Sequence, residues 1–580
     1  MQRQSSLLGI NAASLWASDL IVLTDYLATH PSLDPKRLAV AGCSGGGVQT
    51  AYLGAVDPRM RVVSVACYTS TLTVDYRPGS TSQEGNKSLA GGGGPAEGEQ
   101  QFGPWVGAAP LLDKPDLVQI RAPQPTQILL TTRDQYFPLV GGLAAFNESL
   151  PAFKALAPAG QPPALSVCVG NNSHGYINRT RLCLYDFLSR NLLAKPDSGV
   201  EITDDKVQVL NFSSIRVTST GAAITAAELN GGNGSITAHQ AFVLPNARPL
   251  LAALAKQRKE GGGQRFAAAV AATAAQVVGV VPPASAAKAT RLPDGASGTH
   301  VYTLPGEGRC KVALQLLPPL PHDGDSGSSS YKTVLYVSRK GGTMTRPKQG
   351  TLSAAETARL TAIRKLGLGV ALVDPCGFGN VGDKAGDAFA EFTLPSRDYR
   401  TKLAHPVDVA FNLNRSVAGV HGGDVLRAAA AVATAGALPG AAASKVVATL
   451  SANETAVAVL AAALSAGGAA LGDVALVESV ASWATVVSSA RYVDWSYFSF
   501  VFGGLRHFDI PDMVAALPAA QRALVLLPLD AMRKPQPAND TAAAFALAAK
   551  LKGGKGNASG GFEAVTDRSQ LDSALLAWLA

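Results

Sequence analysis

Apolar positions along this chain change spacing in a regular alternation. Residues 12–30 carry Leu15, Leu20, Leu23 and Leu27 at helical spacing and predict an amphipathic helix, which Pro31 and Asp34-Pro35 end. A short apolar run at 38–41 follows, and then a helix-compatible stretch, VQTAYLGAV. Residues 61–68 (RVVSVACY) are a nearly continuous apolar run, the pattern of a parallel strand buried on both faces. Residues 77–104 are polar and Gly-rich and read as a surface insertion. Runs at 127–132 and 164–170 predict two further strands, and 178–194 a closing helix. This is the pattern of an α/β protein with a parallel sheet.

Beyond residue 196 the pattern shifts. Residues 200–240 alternate Val, Ile and Thr with polar residues, which predicts short strands around a G-G-N-G turn at 231–234. Residues 248–281 predict helix, and Pro-rich and Gly/Ser-rich tracts at 316–321 and 323–330 mark a boundary. From 331 the α/β rhythm restarts: strand 333–338, helix 354–366, strand 367–374 and a helix-like unit at 412–433. At 580 residues the chain is too long for one core. Three segments are expected: 1–195, a mixed 196–330, and 331–580.

Composition narrows the function classes. The net charge of +8 is spread thinly, with no basic stripe interleaved with aromatics, so nucleic acid is not an expected partner. No apolar window is long and clean enough to predict a membrane span. The six cysteines show neither a C-x-x-C pair nor metal-ligand spacing. Cys43, Cys67 and Cys168 fall in or beside strands, where cysteine commonly packs as a small apolar residue; a Cys168–Cys183 disulfide is one pairing the sequence allows. Ten of the 17 asparagines stand in N-x-Ser/Thr, against about two by chance, which points to the secretory pathway. The opening MQRQSS has no apolar h-region, so no signal peptide is visible here.

The chemistry concentrates at residues 37–47, RLAVAGCSGGG. A strand running into G-x-S-x-G and then a helix is the setting that lifts a serine Oγ clear of the sheet, with the helix N-terminus behind it. Ser44 is the candidate nucleophile, and the N–H of Gly45 the candidate half of an oxyanion hole. Each of the next two strand ends carries one titratable residue of the required type: Asp134 in TTRDQYFP and His174 in NNSHGY. C-terminal strand ends form the active edge of open parallel sheets. The order Ser44, Asp134, His174 is the α/β-hydrolase order of nucleophile, acid and base. In that assignment His174 takes the Ser44 proton and Asp134 orients and stabilises the imidazolium, with no metal or organic cofactor required. The other seven histidines show no ligand spacing.

These residues together resemble a known family. DPKRLAVAGCSGGGVQTAYLGAVDPRM, TTRDQYFP and NNSHGY look like the large α/β-hydrolases of the acetylxylan-esterase-like group, and residues 7–27 match the L-L-G…D…Y-L helix that precedes the elbow there. The resemblance extends over most of the chain, with its specific motifs in residues 7–190. It implies a serine esterase acting on acylated carbohydrates, with Ser44, Asp134 and His174 at the triad positions. Prolyl-oligopeptidase-like peptidases usually carry Tyr after the nucleophile, where Gly45 stands here; dienelactone-hydrolase-like enzymes place Cys at the nucleophile, where Cys43 here precedes Ser44. Family members also carry several strands and a His-Gly-type loop before the elbow. Only 43 residues precede Ser44, so the first sheet is expected to lack its N-terminal strands and the second oxyanion donor.

The second half carries a faded copy of the same pattern. KVVATLSANETAVAVLAAAL (445–464) lies over RLAVAGCSGGGVQTAYLGAV without gaps, placing Ala452 at Ser44, and Leu450 and Glu454 at Gly42 and Gly46. RALVLLPLDAMRKP places Asp530 at Asp134, and no histidine follows His507. The DPCGFG loop at 374–379 resembles the D-x-R-G-x-G loop of α/β-hydrolases with Cys376 in place of Arg. A second hydrolase-like domain without its chemistry is therefore expected. Rival readings are a serine peptidase, or a non-catalytic glycan-binding or scaffold protein if the chain truly starts at Met1. Sequence leaves the acyl group, the sugar and the oligomeric state open.

Overall fold

The computed structural model describes residues 2–11, 13–75, 112–134, 136–193, 208–292, 300–308, 311–321, 331–338, 352–376, 410, 415–493, 499–553 and 561–580. The surface insertion expected at 77–104, the tract 323–330, the loop from Gly377 onward and residues 412–414 lie outside them. The chain divides into two units: Ile10–Phe242 forms the body of the first, and Arg3–Gly9, Val243–Thr393 and Leu413–Ala580 form the second.

The first unit is built on four parallel strands, β1 (Leu38–Cys43), β2 (Met60–Ala66), β3 (Thr126–Arg133) and β4 (Leu165–Ser173), lying side by side in chain order. β2 and β3 are central and buried on both faces, which is why they read as apolar runs; β1 and β4 are the edges and are only half-buried. Alternate residues of β3 feed different cores. Ile128 and Leu130 pack with Val118, Phe153 and Leu165, while Leu129 turns to the other face and meets Ala66, Cys67 and Leu184. The helix Ala13–Thr29 covers β1 and β2 through Ala13, Trp16, Leu20 and Ile21, which join Val48, Val63 and Val65. The helix Lys114–Gln119 opens with an Asp113/Asp116 capping box and a proline in its first turn. Cys168 of β4 and Cys183 of the helix Asn178–Leu192 are joined by a disulfide, with 6.5 Å between their Cα atoms.

Residues 208–240 depart from expectation. They form short helical turns at Phe212–Ile215, Ala223–Thr225 and Asn230–Gly232, with no strand among the described residues. Alternation makes a strand only where one face is buried, and here Val209 and Val217 are 89% and 93% exposed. The glycine turn does form, with positive φ at Gly231, Gly232 and Gly234.

The second unit is a nine-stranded sheet in the order β13-β12-β11-β10-β8-β9-β7-β6-β5. Its strands are β5 (Thr290–Arg291), β6 (His300–Pro305), β7 (Lys311–Leu317), β8 (Thr333–Val337), β9 (Gly369–Asp374), β10 (Val446–Ala452), β11 (Asp473–Val477), β12 (Ala523–Leu526) and β13 (Phe562–Val565). β7 runs antiparallel to both β6 and β9, whereas β8 to β13 are mutually parallel. One face is filled by Val334, Tyr336, Leu372, Leu450, Val477 and Leu526 with Leu360, Ile363, Leu575 and Trp578 from the helices Ala354–Lys365 and Leu571–Leu579. Behind β10, the uncharged helix Ala456–Ala463 is buried on every side. The helical run expected at 248–281 is two helices, Leu244–Lys259 and Gln264–Val278, separated by left-handed Gly261, Gly262 and Gly263.

Candidate active site

The C-terminal ends of β1, β3 and β4 deliver three groups to one edge of the first sheet. Ser44 follows β1 at φ 60°, ψ −123°, a left-handed conformation that a side-chain-bearing residue rarely holds. Its N–H donates to the carbonyl of Ala66 (3.1 Å) on β2, and its own carbonyl accepts from Val48 (2.9 Å) in the helix Gly45–Val56. The turn is tight for identifiable reasons. A Cβ on Gly42 would lie 2.2 Å from the carbonyl oxygen of Gly46, and one on Gly47 would lie 2.4 Å from that of Ala66. A Cβ on Gly46 would meet nothing within 4 Å, so the second sterically required glycine is Gly47 rather than the motif's own Gly46. Gly45 is the first residue of the helix, where N–H groups have no intrahelical acceptor.

Asp134 follows β3 and is 1% exposed. Its Oδ1 accepts the backbone N–H groups of Tyr136 and Phe137, both at 2.9 Å, and Thr131 Oγ1 lies 3.4 Å from Oδ2. These bonds fix the carboxylate against His174 Nδ1, which stands 3.0 Å from Oδ1 and 2.9 Å from Oδ2. Asp134 and His174 are thus brought together across 40 residues of sequence. The imidazole is held on two sides: Tyr136 meets its ring edge-to-face with centroids 4.9 Å apart, and Phe137 stacks at 6.0 Å. A carboxylate bonded to Nδ1 leaves Nε2 as the ring atom that can exchange a proton with a third group.

Below this pair lies something the sequence did not signal. Cys67 closes β2 at φ 51°, is buried, and hydrogen-bonds through its thiol to Cys43. That bond and burial push the Cys67 thiol well above its ordinary range. Burial likewise raises the Tyr176 phenol beside it, whose hydroxyl finds no hydrogen-bond partner among the described residues. The ligating atoms of Cys67, Asp134 and His174 all lie within 4.8 Å of one another. Such a donor set could hold a soft cation, but its carboxylate is already engaged by the imidazole and two backbone N–H groups. The arrangement reads as an acid–base pair over a thiol. Lys114, also buried, places its Nζ 4.8 Å from the Tyr68 ring centroid and 5.0 Å from that of Phe137. Neither the thiol pair nor this lysine could be found from spacing, because the contacts join segments far apart in sequence.

In the second unit the corresponding positions carry different residues. β10 ends at Ala452 with φ −104°, ψ 130°, ordinary extended backbone, and continues into a 3-10 turn at Asn453–Thr455. Ser451 is buried, its Oγ 3.1 Å from Thr455 Oγ1. Asp530 accepts the N–H groups of Met532 and Lys534, each at 2.8 Å, much as Asp134 does in its own turn. His421 is buried with Nε2 2.9 Å from the carbonyl of Cys376, and His507 is exposed beside Arg506. The backbone nevertheless keeps one shared trait: Glu478 closes β11 at φ 50°, as Cys67 closes β2.

A parallel sheet with a strained serine after one strand, and a second sheet of mixed order flanked by helices, define an α/β fold of the α/β-hydrolase type. No family model and no curated protein matches the chain. Among solved structures it is similar to a candidate acetyl xylan esterase of Bacteroides fragilis (13% identity over 53% of this chain and 77% of that one, TM-score 0.37). It is also similar to acetyl xylan esterase 1 of Thermoanaerobacterium sp. (12%, 55% and 94%, TM-score 0.30). Dipeptidyl peptidase 4 of Porphyromonas gingivalis matches at 12% identity and TM-score 0.28, over 50% of this chain and 43% of that one, so this chain spans less than half of that enzyme.

Proposed function

We propose that the first unit is a serine carboxylic ester hydrolase working through an acyl-enzyme on Ser44. The observation that carries this reading is the strained Ser44 backbone on the same sheet edge as the buried Asp134 and its hydrogen-bonded partner His174. His174 accepts the Ser44 proton as Oγ attacks the ester carbonyl, and Asp134 holds the ring and stabilises the imidazolium. The N–H of Gly45 receives the oxyanion, a contribution of about 3 kcal/mol per donor in such sites. His174 then protonates the departing alkoxide, and water repeats the sequence to release the acid. No metal or organic cofactor enters these steps.

The substrate we propose is an acetylated carbohydrate or another small ester, on the strength of the motifs at 38–47, 127–138 and 171–176. The second unit serves structural or substrate-binding roles, because its elbow position is Ala452 in extended backbone. Passage through the secretory pathway is part of the same proposal: ten N-x-Ser/Thr sites and a Cys168–Cys183 disulfide both suit an oxidising, glycosylating compartment. No described helix is long and apolar enough to cross a membrane. Purified protein is expected to hydrolyse p-nitrophenyl acetate and to release acetate from acetylated xylan in preference to cleaving aminoacyl-naphthylamides. Unchanged acetate release from Ser44→Ala would remove the assignment.

A further inference from the structure

We infer that Cys43 and Cys67 form a redox-active dithiol that a low-molecular-weight disulfide converts to an intramolecular disulfide, and that this oxidation switches Ser44 off. The inference rests on the hydrolase reading for its effect on activity, but not for the bond itself.

The two residues sit on one rung of the sheet. Cys43 ends β1 opposite Ala66 of β2, and Cys67 is the next residue along. Strand spacing of about 4.8 Å and a rise of about 3.3 Å per residue put their Cα atoms roughly 6 Å apart, inside the span a disulfide bridges. Their side chains meet: the thiols share a hydrogen bond, and Cys43 packs on the cluster formed by Ala66, Cys67, Leu129 and Leu184. Cys168 and Cys183, already joined, border the same cluster, and Cys376 is also disulfide-bonded. Among the described residues, Cys43 and Cys67 are the cysteines that lie outside a disulfide. A chain whose other described cysteines are oxidised therefore keeps one adjacent reduced pair, directly under its candidate nucleophile.

The exchange balances without help from the protein. The more exposed Cys43, as thiolate, attacks one sulfur of the small disulfide and expels a thiolate. Cys67 gives up its proton, and its sulfur attacks the Cys43 sulfur of the mixed disulfide, expelling the second small thiolate. Two protein thiols are oxidised, the small disulfide gains two electrons, and the two protons pass to the expelled thiolates. A small-molecule dithiol reverses the sequence.

The consequence for Ser44 is geometric. The Ser44 N–H bond to the Ala66 carbonyl spans the same rung, so Cys43 precedes the nucleophile and Cys67 follows its backbone anchor. Drawing two sulfurs from hydrogen-bond contact to a bond of about 2.05 Å moves this rung by about 1 Å. A displacement of that size in a catalytic constellation lowers rate by roughly 100-fold. The Cys67 sulfur also lies within 4.8 Å of the ligating atoms of Asp134 and His174, so the movement reaches the acid–base pair.

The test treats the reduced full-length protein with oxidised glutathione. It then measures the rate of Ser44 labelling by a fluorophosphonate and maps disulfides by mass spectrometry under non-reducing conditions. We expect the peptides bearing Cys43 and Cys67 to be joined, labelling to slow by about 100-fold, and dithiothreitol to restore it. Cys43→Ala and Cys67→Ala should each label at their own reduced rate whether or not oxidant is added. A labelled protein that forms no Cys43–Cys67 link overturns the switch alone, as does a link that leaves labelling undiminished. Oxidant sensitivity persisting in both variants also overturns it. A reduced protein that takes no label overturns the hydrolase reading, and the switch with it, even if the link forms.

Discussion

Ser44 holds a backbone conformation that costs a non-glycine residue about 1–3 kcal/mol, and the surrounding bonds to Ala66 and Val48 impose it. Strain of that kind persists where something over-determines it, and here it lies on the sheet edge that also carries Asp134 and His174. Replacing Ser44 by Ala is expected to lower p-nitrophenyl acetate hydrolysis at least about 10³-fold. Asp134→Asn should cost about 10⁴-fold in kcat, since the amide no longer selects the required imidazole tautomer. Steady-state kinetics on both variants checks this, with circular dichroism to confirm folding. A different residue-scale prediction concerns His421, whose burial lowers its pKa from 6.5 to about 4. The folded state tolerates only its neutral form, so the stability it permits is full above pH 6.5 and is lost as pH falls toward 4. Nearby Asp424 is pushed the other way, up to about 7 by burial, so its own effect runs opposite in the same window. Comparing wild type with His421→Gln cancels the Asp424 effect. Urea unfolding should show wild type losing up to about 3 kcal/mol relative to the variant between pH 7.5 and 4.5.

At the scale of elements, the elbow is made by two glycines that contact backbone and one that does not. Gly42→Ala is expected to destabilise the protein by about 2–3 kcal/mol or more and to abolish labelling of Ser44, because its Cβ would strike the Gly46 carbonyl at 2.2 Å. Gly46→Ala, whose Cβ meets nothing within 4 Å, should fold and label like wild type. Thermal melts and labelling rates on the pair separate a steric requirement from a motif letter. The sequence could not make this distinction, since Gly47 is constrained by Ala66, a contact created only when β1 and β2 pair. The strands themselves were legible because β2 and β3 are buried on both faces and are centred on apolar runs. Residues 208–240 misled for the converse reason: their alternation faces solvent and pairs with nothing. The ordering of Asp134 and His174 after successive strands was visible; the aromatic clasp of Tyr136 and Phe137 on the imidazole, and the thiols beneath it, were not.

At the scale of the molecule, the chain contains two sheets of related design with different residues at the elbow. One carries the strained Ser44 after β1, with Asp134 and His174 hydrogen-bonded at the ends of β3 and β4; the other has Ala452 in extended backbone, a buried Ser451 and an Asp530 whose carboxylate closes its own turn. The gapless overlay of 445–464 on 37–56 made that loss legible, because it turned on residue identity rather than packing. Restoring the serine alone should do nothing: Ala452→Ser is expected to add no fluorophosphonate label, since ordinary extended backbone stands there in place of a strained elbow. The most direct test of the whole account is where a fluorophosphonate lands on the reduced wild-type protein. One label per chain is expected, on Ser44 in the tryptic peptide spanning 38–59, and none in Ser44→Ala. Absence of label, or label on any other serine with Ser44 unmodified, would contradict it.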